Sequence, residues 1–184
     1  MELVTMTQSR MLDEFRRALG MSVLRTDCTV QAVEGVEVDP WLEQLLDGWY
    51  TEQLLTADAR LLPVTNQSQS AATSAMHGGM LRVRPDAQRV RVLAVQMADW
   101  THAVEPVAFE QAGELLARMA SPYSAPGPGS PLAVLMPDGS LQLCPDGEGG
   151  LTNLLCVTDP RPLYTFHPAL LNTIVPYVNR VNNK

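Results

Sequence analysis

The clearest structural signal in this sequence is an amphipathic helix that begins at Asp39-Pro40. Asp39 is a preferred N-cap residue, and a proline in the first turn costs no hydrogen bond because the N–H groups there have no partner within the helix. Apolar residues then recur at helical spacing: Trp41, Leu42, Leu45, Leu46, Trp49 and Leu54. The pattern predicts a helix over 39–57 with both tryptophans in a core.

Three other segments, 7–20, 108–120 and 168–181, repeat their apolar residues with the same helical period. Gly20 occupies the position of a glycine that ends a helix, and Pro176 is expected to kink the last helix from within. In the third helix we expect these apolar residues to face inward: Phe109, Ala112, Leu115, Leu116 and Met119.

Short apolar or alternating segments predict strands between these helices. The expected strands are 29–33, before a turn at Gly35, and 80–84, 89–97, 132–136, 141–144 and 151–157. Two hairpins are expected, with turns at 85–88 and 137–140. The stretch 65–79 is rich in Asn, Gln, Ser, Ala and Gly and is predicted to be a polar loop.

The order of these elements predicts an α+β chain rather than a repeating βαβ unit. We expect a single domain over 1–184, in which a helical bundle carries antiparallel β insertions. Its helical core comprises about 7–57, 108–120 and 168–181. Two β arms, about 80–97 and 132–157, extend from this core, and a flexible Pro/Gly-rich joint occupies 121–131.

Composition excludes several classes of protein. The 184 residues are 46% hydrophobic, which suits one globular domain. No run approaches a membrane span, and the N-terminus lacks the pattern of a signal peptide. The net charge of −7 argues against tight nucleic-acid binding. Cys28, Cys144 and Cys156 lack CxxC spacing and are expected to be reduced core residues.

No motif of an enzyme, a cofactor site or a metal site is present, so we predict no catalytic residue, no cofactor and no metal ligand. His77-Gly78-Gly79 resembles a lipase oxyanion loop but lacks a nucleophile elbow, and a turn is favoured. His102 could pair with Cys144 or Cys156, yet both cysteines lie in predicted strand interiors, where thiols are inert. His167 precedes Pro168 and is expected to cap a helix.

The strongest polar feature is a group of four arginines, Arg82, Arg84, Arg89 and Arg91, which the predicted hairpin would place in one ribbon. Twelve of the thirteen cationic residues are Arg, and the single lysine is Lys184. Arginine is enriched at protein interfaces, although a GC-rich genome would give the same bias. The ribbon could contact phosphates, pair with acidic residues of a neighbouring subunit or face solvent.

A series of short signatures gives the chain a family resemblance. In order they are Trp49-Tyr50, Leu62-Pro63-Val64, Met80-Leu81-Arg82-Val83-Arg84-Pro85, Val90-Arg91-Val92-Leu93-Ala94-Val95, Asp99-Trp100, Pro106-Val107 and the segment 137–145, which begins Pro137-Asp138-Gly139-Ser140. In this order and composition the sequence resembles the head–tail connector proteins of tailed bacteriophages, the neck or adaptor subunits.

The resemblance implies a structural role without catalytic residues. Such a subunit would form an adaptor ring between portal and tail, with itself, the portal and other neck or tail proteins as partners. It would be assembled in the host cytoplasm and found in the virion. Its β arms would contact neighbouring subunits through the four arginines, and its C-terminal helix, with Val178 and Val181, would dock onto the portal.

Two other interpretations stay open. The chain could be a cytosolic bacterial scaffold that uses the same arginines to bind another protein. It could also be an enzyme of a class without a sequence motif, which would require a pocket with converging polar groups. We rank the phage subunit first, the scaffold second and the enzyme last.

Overall fold

A computed structural model describes residues 2–21, 38–76, 78–86, 88–121, 123–147 and 149–183. The described helices are α1 Gln8–Ala18, α2 Val38–Thr56, α3 Gly113–Ala120 and α4 Ile174–Asn182. The described strands are β1 Val4–Met6, β2 Val64–Asn66, β3 Ala72–Met76, β4 Met80–Arg84, β5 Arg89–Met97, β6 Val107–Ala108, β7 Leu132–Leu135, β8 Leu141–Cys144, β9 Leu151–Thr158 and β10 Tyr164–Phe166. The predicted strand at 29–33 and turn at Gly35 lie outside the described residues.

The chain divides into two compact units. Met1–Pro63 and Pro160–Lys184 form the first, here called the helical unit, and Val64–Asp159 form the second, here called the β unit. In the helical unit, α1, α2 and α4 contact one another, and β1 pairs with β10 in a two-stranded antiparallel sheet.

Aromatic side chains fill the core of the helical unit. Trp49 is fully buried between Phe15 and Phe166, with ring centroids 5.6 and 5.7 Å away in edge-to-face geometry. Its Nε1 donates a hydrogen bond of 2.8 Å to Thr173 Oγ1. The Tyr50 hydroxyl donates to the carbonyl of Thr165 and accepts from its N–H, both at 3.1 Å. The polar atoms of both aromatic residues are therefore satisfied inside an apolar core.

The β unit is a sandwich of two sheets. The larger sheet has the strand order β3-β4-β8-β7-β6, and the smaller has the order β2-β9-β5. An apolar layer joins them, with Val83, Ala133, Leu141 and Leu143 from the larger sheet and Val92, Val95, Met97, Leu154 and Cys156 from the smaller, together with Trp100. Because side chains alternate along a strand, this layer fixes which residues of each strand face outward.

Helix α3 covers part of the outer face of the larger sheet. Ala112 and Met119 pack there against Val134 and Cys144, and all four side chains are buried. Leu115 and Leu116 are half-buried against the same layer, as the sequence predicted. Phe109, in contrast, belongs to a short 3-10 helix before α3 and is 39% exposed, so its predicted inward position is wrong.

The predicted fold class, a helical bundle with β insertions, is wrong. The described residues form ten strands in three sheets, and the segments expected to be projecting arms, 80–97 and 132–157, supply most of the sandwich. Helix α3 packs on a sheet. The physical reason is that the apolar faces of these strands are buried against each other in the sandwich, so the strands form a core of their own.

Two local predictions about strands are also corrected. β4 pairs with β3 and β8, whereas β5 pairs with β9, so 80–97 crosses between the two sheets and forms no hairpin. The stretch 65–79, predicted to be a loop, contains β3 and part of β2. The hairpin of β7 and β8 is confirmed, with Gly139 at a φ of +77° in its turn.

The predicted helix over 168–181 has two parts. A 3-10 helix over Pro168–Thr173 is followed by α4, in which Pro176 is the third residue. A proline in the first turn of an α-helix removes no intrahelical hydrogen bond, so Pro176 sits where a proline is tolerated and not in a helix interior. His167 caps this segment, since its Nδ1 accepts a 3.2 Å hydrogen bond from the Ala169 N–H.

The Pro/Gly-rich segment 121–131 carries neither helix nor strand among its described residues. It lies within the β unit, where the Pro128 carbonyl accepts a hydrogen bond of 3.0 Å from the Thr101 N–H. Within the described parts of the chain, no helix combines the length and apolar character needed to cross a bilayer.

Replacing Trp49 by alanine tests the aromatic core of the helical unit. We expect Trp49→Ala to lower the free energy of unfolding by about 3–5 kcal/mol, because it creates a large cavity and removes the hydrogen bond to Thr173 Oγ1. Tyr123→Ala is the control, since Tyr123 is 99% exposed, and it should change the free energy by no more than about 0.5 kcal/mol. Urea denaturation measures both, and a loss below about 1 kcal/mol for Trp49→Ala would contradict the packing described.

Candidate interaction surface

Strand β3 is an open edge of the larger sheet. Among the described strands it pairs only with β4, in a regular antiparallel register from Ala72 opposite Arg84 to Met76 opposite Met80. The first four of its five residues are exposed. Because these residues alternate between the two faces of the sheet, β3 is open to solvent on both faces as well as along its edge.

Strand β3 lacks three of the usual protections against pairing with another chain, namely charges, proline and a bulge. Natural edge strands are shielded by lysine or other charges, by proline, by bulges or by short length. The sequence from Leu61 to Leu81 contains no Asp, Glu, Lys or Arg, and β3 itself has no proline. Its register with β4 shows no bulge. β3 is thus free to accept a further strand by main-chain hydrogen bonds.

Arg82 and Arg84 lie on the outer face of the larger sheet beside this edge. Arg82 is opposite Ser74 on one side and Gln142 on the other, and Arg84 is opposite Ala72. Since Val83 between them points into the sandwich core, both arginines point away from it. Arg84 is exposed and Arg82 is half-buried.

Arg89 reaches the same region from the other sheet. Its guanidinium lies against Gly139 in the β7–β8 turn, so close that a Cβ at Gly139 would stand 2.6 Å from Nη2. The adjacent Asp138 accepts hydrogen bonds from Ser140 Oγ at 2.6 Å and from the Ser140 N–H at 2.9 Å. These bonds, and then the charges of Arg82 and Arg84, hold the pKa of Asp138 below its ordinary value.

The structure therefore brings Arg82, Arg84 and Arg89 around one turn although no hairpin joins their strands. We call these three residues the arginine cluster. The fourth predicted residue, Arg91, lies half-buried on β5 opposite Val157.

The arginine cluster lacks the ion pairs that four arginines of the helical unit form. In the helical unit, Arg16, Arg17, Arg161 and Arg180 each form an ion pair with a carboxylate. Within the described residues the arginine cluster forms no ion pair, and Arg82 Nε and Arg89 Nη1 are buried without an acceptor. Both of these donors are enclosed within the chain, so the member of the cluster that is open to another molecule is the exposed Arg84.

The other two predicted interface residues lie on α4 in the helical unit. Val181 is 40% exposed and available for contact. Val178 is only 2% exposed, because it belongs to the core of that unit. Its prediction as a surface contact is wrong, since the apolar stripe of α4 is already covered within the chain.

The sequence predicts that the cysteines are buried and unreactive, and the structure describes two of them. Cys144 and Cys156 are buried free cysteines, and burial raises the pKa of both, that of Cys156 to about 11. His102 is exposed, and its Nδ1 lies 3.0 Å from Thr101 Oγ1. Cys28 and His77 are outside the described residues. Among the residues that the structure describes, no group of three His, Cys, Asp or Glu side chains could hold a metal ion.

No protein-family model matches the sequence, and no curated protein matches it significantly.

Sequence reasoning located the arginines but missed the open edge strand. The signal in the sequence was the run from Leu61 to Leu81, which contains no charged residue. This run includes Thr73, Ser74 and Ala75 of β3. A long stretch without secondary structure is uncommon in a compact domain, and an edge that pairs with another strand gains from the absence of charge.

Thiol labelling tests the burial of the two cysteines. In a Cys28→Ser background, we expect iodoacetamide at pH 8 to label neither Cys144 nor Cys156 in the native protein and to label both in urea. Rapid labelling of the native protein, measured by intact mass, would contradict the buried positions.

The raised pKa of Cys156 also predicts a direction for stability. The folded protein prefers the neutral thiol, so the stability that this thiol contributes is present below pH 9, its ordinary pKa, and is lost as the pH rises through about 11. Cys156→Ala should reduce that loss in urea denaturation at alkaline pH.

Proposed function

We propose that this protein is a structural subunit that assembles with copies of itself, and that the assembly is an adaptor ring between portal and tail of a phage or phage-like particle. The observation that carries the proposal is the uncharged edge strand β3, exposed on both faces and flanked by Arg82 and Arg84.

The physical basis of assembly is strand addition. The outward N–H and C=O groups of β3 offer main-chain hydrogen bonds, which supply affinity with little sequence specificity. The exposed Arg84 beside the edge adds a charge that distinguishes partners, because electrostatic complementarity contributes specificity more than affinity. A subunit with such an edge is suited to being held by neighbours.

The assignment to a phage neck rests on the sequence resemblance. In their order, the signatures Trp49-Tyr50, Leu62-Pro63-Val64 and 137–145 resemble head–tail connector subunits. Under this proposal the portal and other neck or tail proteins are partners, and the protein is part of the virion.

Introducing a lysine into β3 tests the proposal. Ser74→Lys places a charge on the open edge, as natural edge strands do, and we expect at least a tenfold loss of self-association. Ser124→Lys makes the same exchange at another exposed serine of the β unit and should leave self-association unchanged.

Light scattering after size exclusion and negative-stain imaging measure the outcome, for the chain alone and with the portal protein of the same genome. A ring that Ser74→Lys disrupts supports the proposal. A strict monomer in both mixtures would refute it, and association only with an unrelated host protein would point to a scaffold instead.

A further inference from the structure

The β unit has two electrically different ends. It contains five arginines and nine acidic residues, and four of its arginines lie between positions 82 and 91. β4 and β8 are antiparallel, so the carboxyl end of β4, with Arg84, lies beside the amino end of β8 and the Asp138 turn. This is the arginine end of the unit, and it also contains Asp86 and Asp159, which follow β4 and β9.

The opposite end of the same strands is acidic. There the Asp146 N–H donates a 2.9 Å hydrogen bond to the Gly79 carbonyl, which joins the end of β8 to the start of β4. Asp99, just after β5, lies against Gly147, where a side chain would collide with its carboxylate. Asp99 and Asp146 are both exposed. The segments 97–106 and 144–150 contain four acidic residues and no Arg or Lys.

Two acidic ends would bring like charges together, and like charges across an interface disfavour contact. The arginine end has four arginines beside Asp86, Asp138 and Asp159, so the charge difference between the two ends favours contact between unlike ends. An arginine end facing an acidic end would instead place the exposed Arg84 opposite the exposed carboxylates of Asp99 and Asp146, so that opposite charges meet across the contact.

We infer that Arg82 and Arg84 of one subunit pair with Asp99 and Asp146 of the next, so that copies of this chain associate head to tail. The inference rests on the proposed function and adds a second contact to the strand addition at β3. A head-to-tail contact uses two different surfaces of each subunit and therefore repeats, either closing into a ring or extending as a filament. The occupant of the arginine end is thus the acidic end of a second copy.

Charge reversal tests the pairing. Arg84→Glu and Asp146→Arg change two exposed side chains, and each alone should weaken self-association at least tenfold. The double variant, Arg84→Glu with Asp146→Arg in one chain, should restore it, and so should an equimolar mixture of the two single variants. Arg118→Glu is the matched control, because Arg118 is the exposed fifth arginine of the β unit and lies on α3.

Sedimentation velocity at low and high salt measures these associations, and circular dichroism checks that each variant is folded. We expect oligomers larger than dimers that weaken as salt rises. A dimer as the largest species, or a double variant that fails to recover, would overturn the inference.

The failure of the inference is separable from that of the proposed function. If Ser74→Lys breaks the assembly and both charge reversals leave it intact, self-assembly stands and the head-to-tail pairing is wrong. If Arg84→Glu leaves assembly intact but abolishes binding of a single-stranded DNA oligonucleotide, the cluster binds phosphates and the inference is likewise overturned.

Discussion

The apolar layer between the two sheets of the β unit determines where every exposed feature of that unit lies. Val83 is fully buried in that layer, so the residues on either side of it, Arg82 and Arg84, must face outward. The same layer fixes the register of β8 against β4 and hence the position of the Asp138 turn. A shift of one residue would bury two arginines and expose a core valine, which makes this register strongly favoured.

Local patterns were sufficient to predict much of the secondary structure. The four helices follow from apolar residues at helical spacing, and the β7–β8 hairpin follows from its Pro-Asp-Gly-Ser turn. The inert cysteines follow from their places inside apolar strands. Each of these features depends on residues close together in sequence, where the physical preference of a short segment decides the outcome.

The sheet pairing depends on distant residues and was not predictable in the same way. β5 selects β9, about sixty positions away, over the adjacent β4, because both β4 and β5 bury an apolar face in the interior of the sandwich. Similarly, a polar stretch forms strand β3 only because it pairs with β4 through main-chain hydrogen bonds. Arg82 and Arg89 lie near one turn because of this long-range pairing. The sequence identified both arginines as candidate interface residues, but through a hairpin that does not form.

The composition of β3 affects the behaviour of a newly synthesised chain before it assembles. A strand without charges is prone to aggregation until it pairs with its native neighbour. The small side chains of Ala72 and Ala75 offer little steric resistance to pairing with a non-native strand. Thr73 and Ser74 keep it hydrated, which slows such encounters without forbidding them. Synthesis of the chain together with its partner subunits therefore favours correct assembly. Overproduction of the chain alone favours inclusion bodies over folded protein.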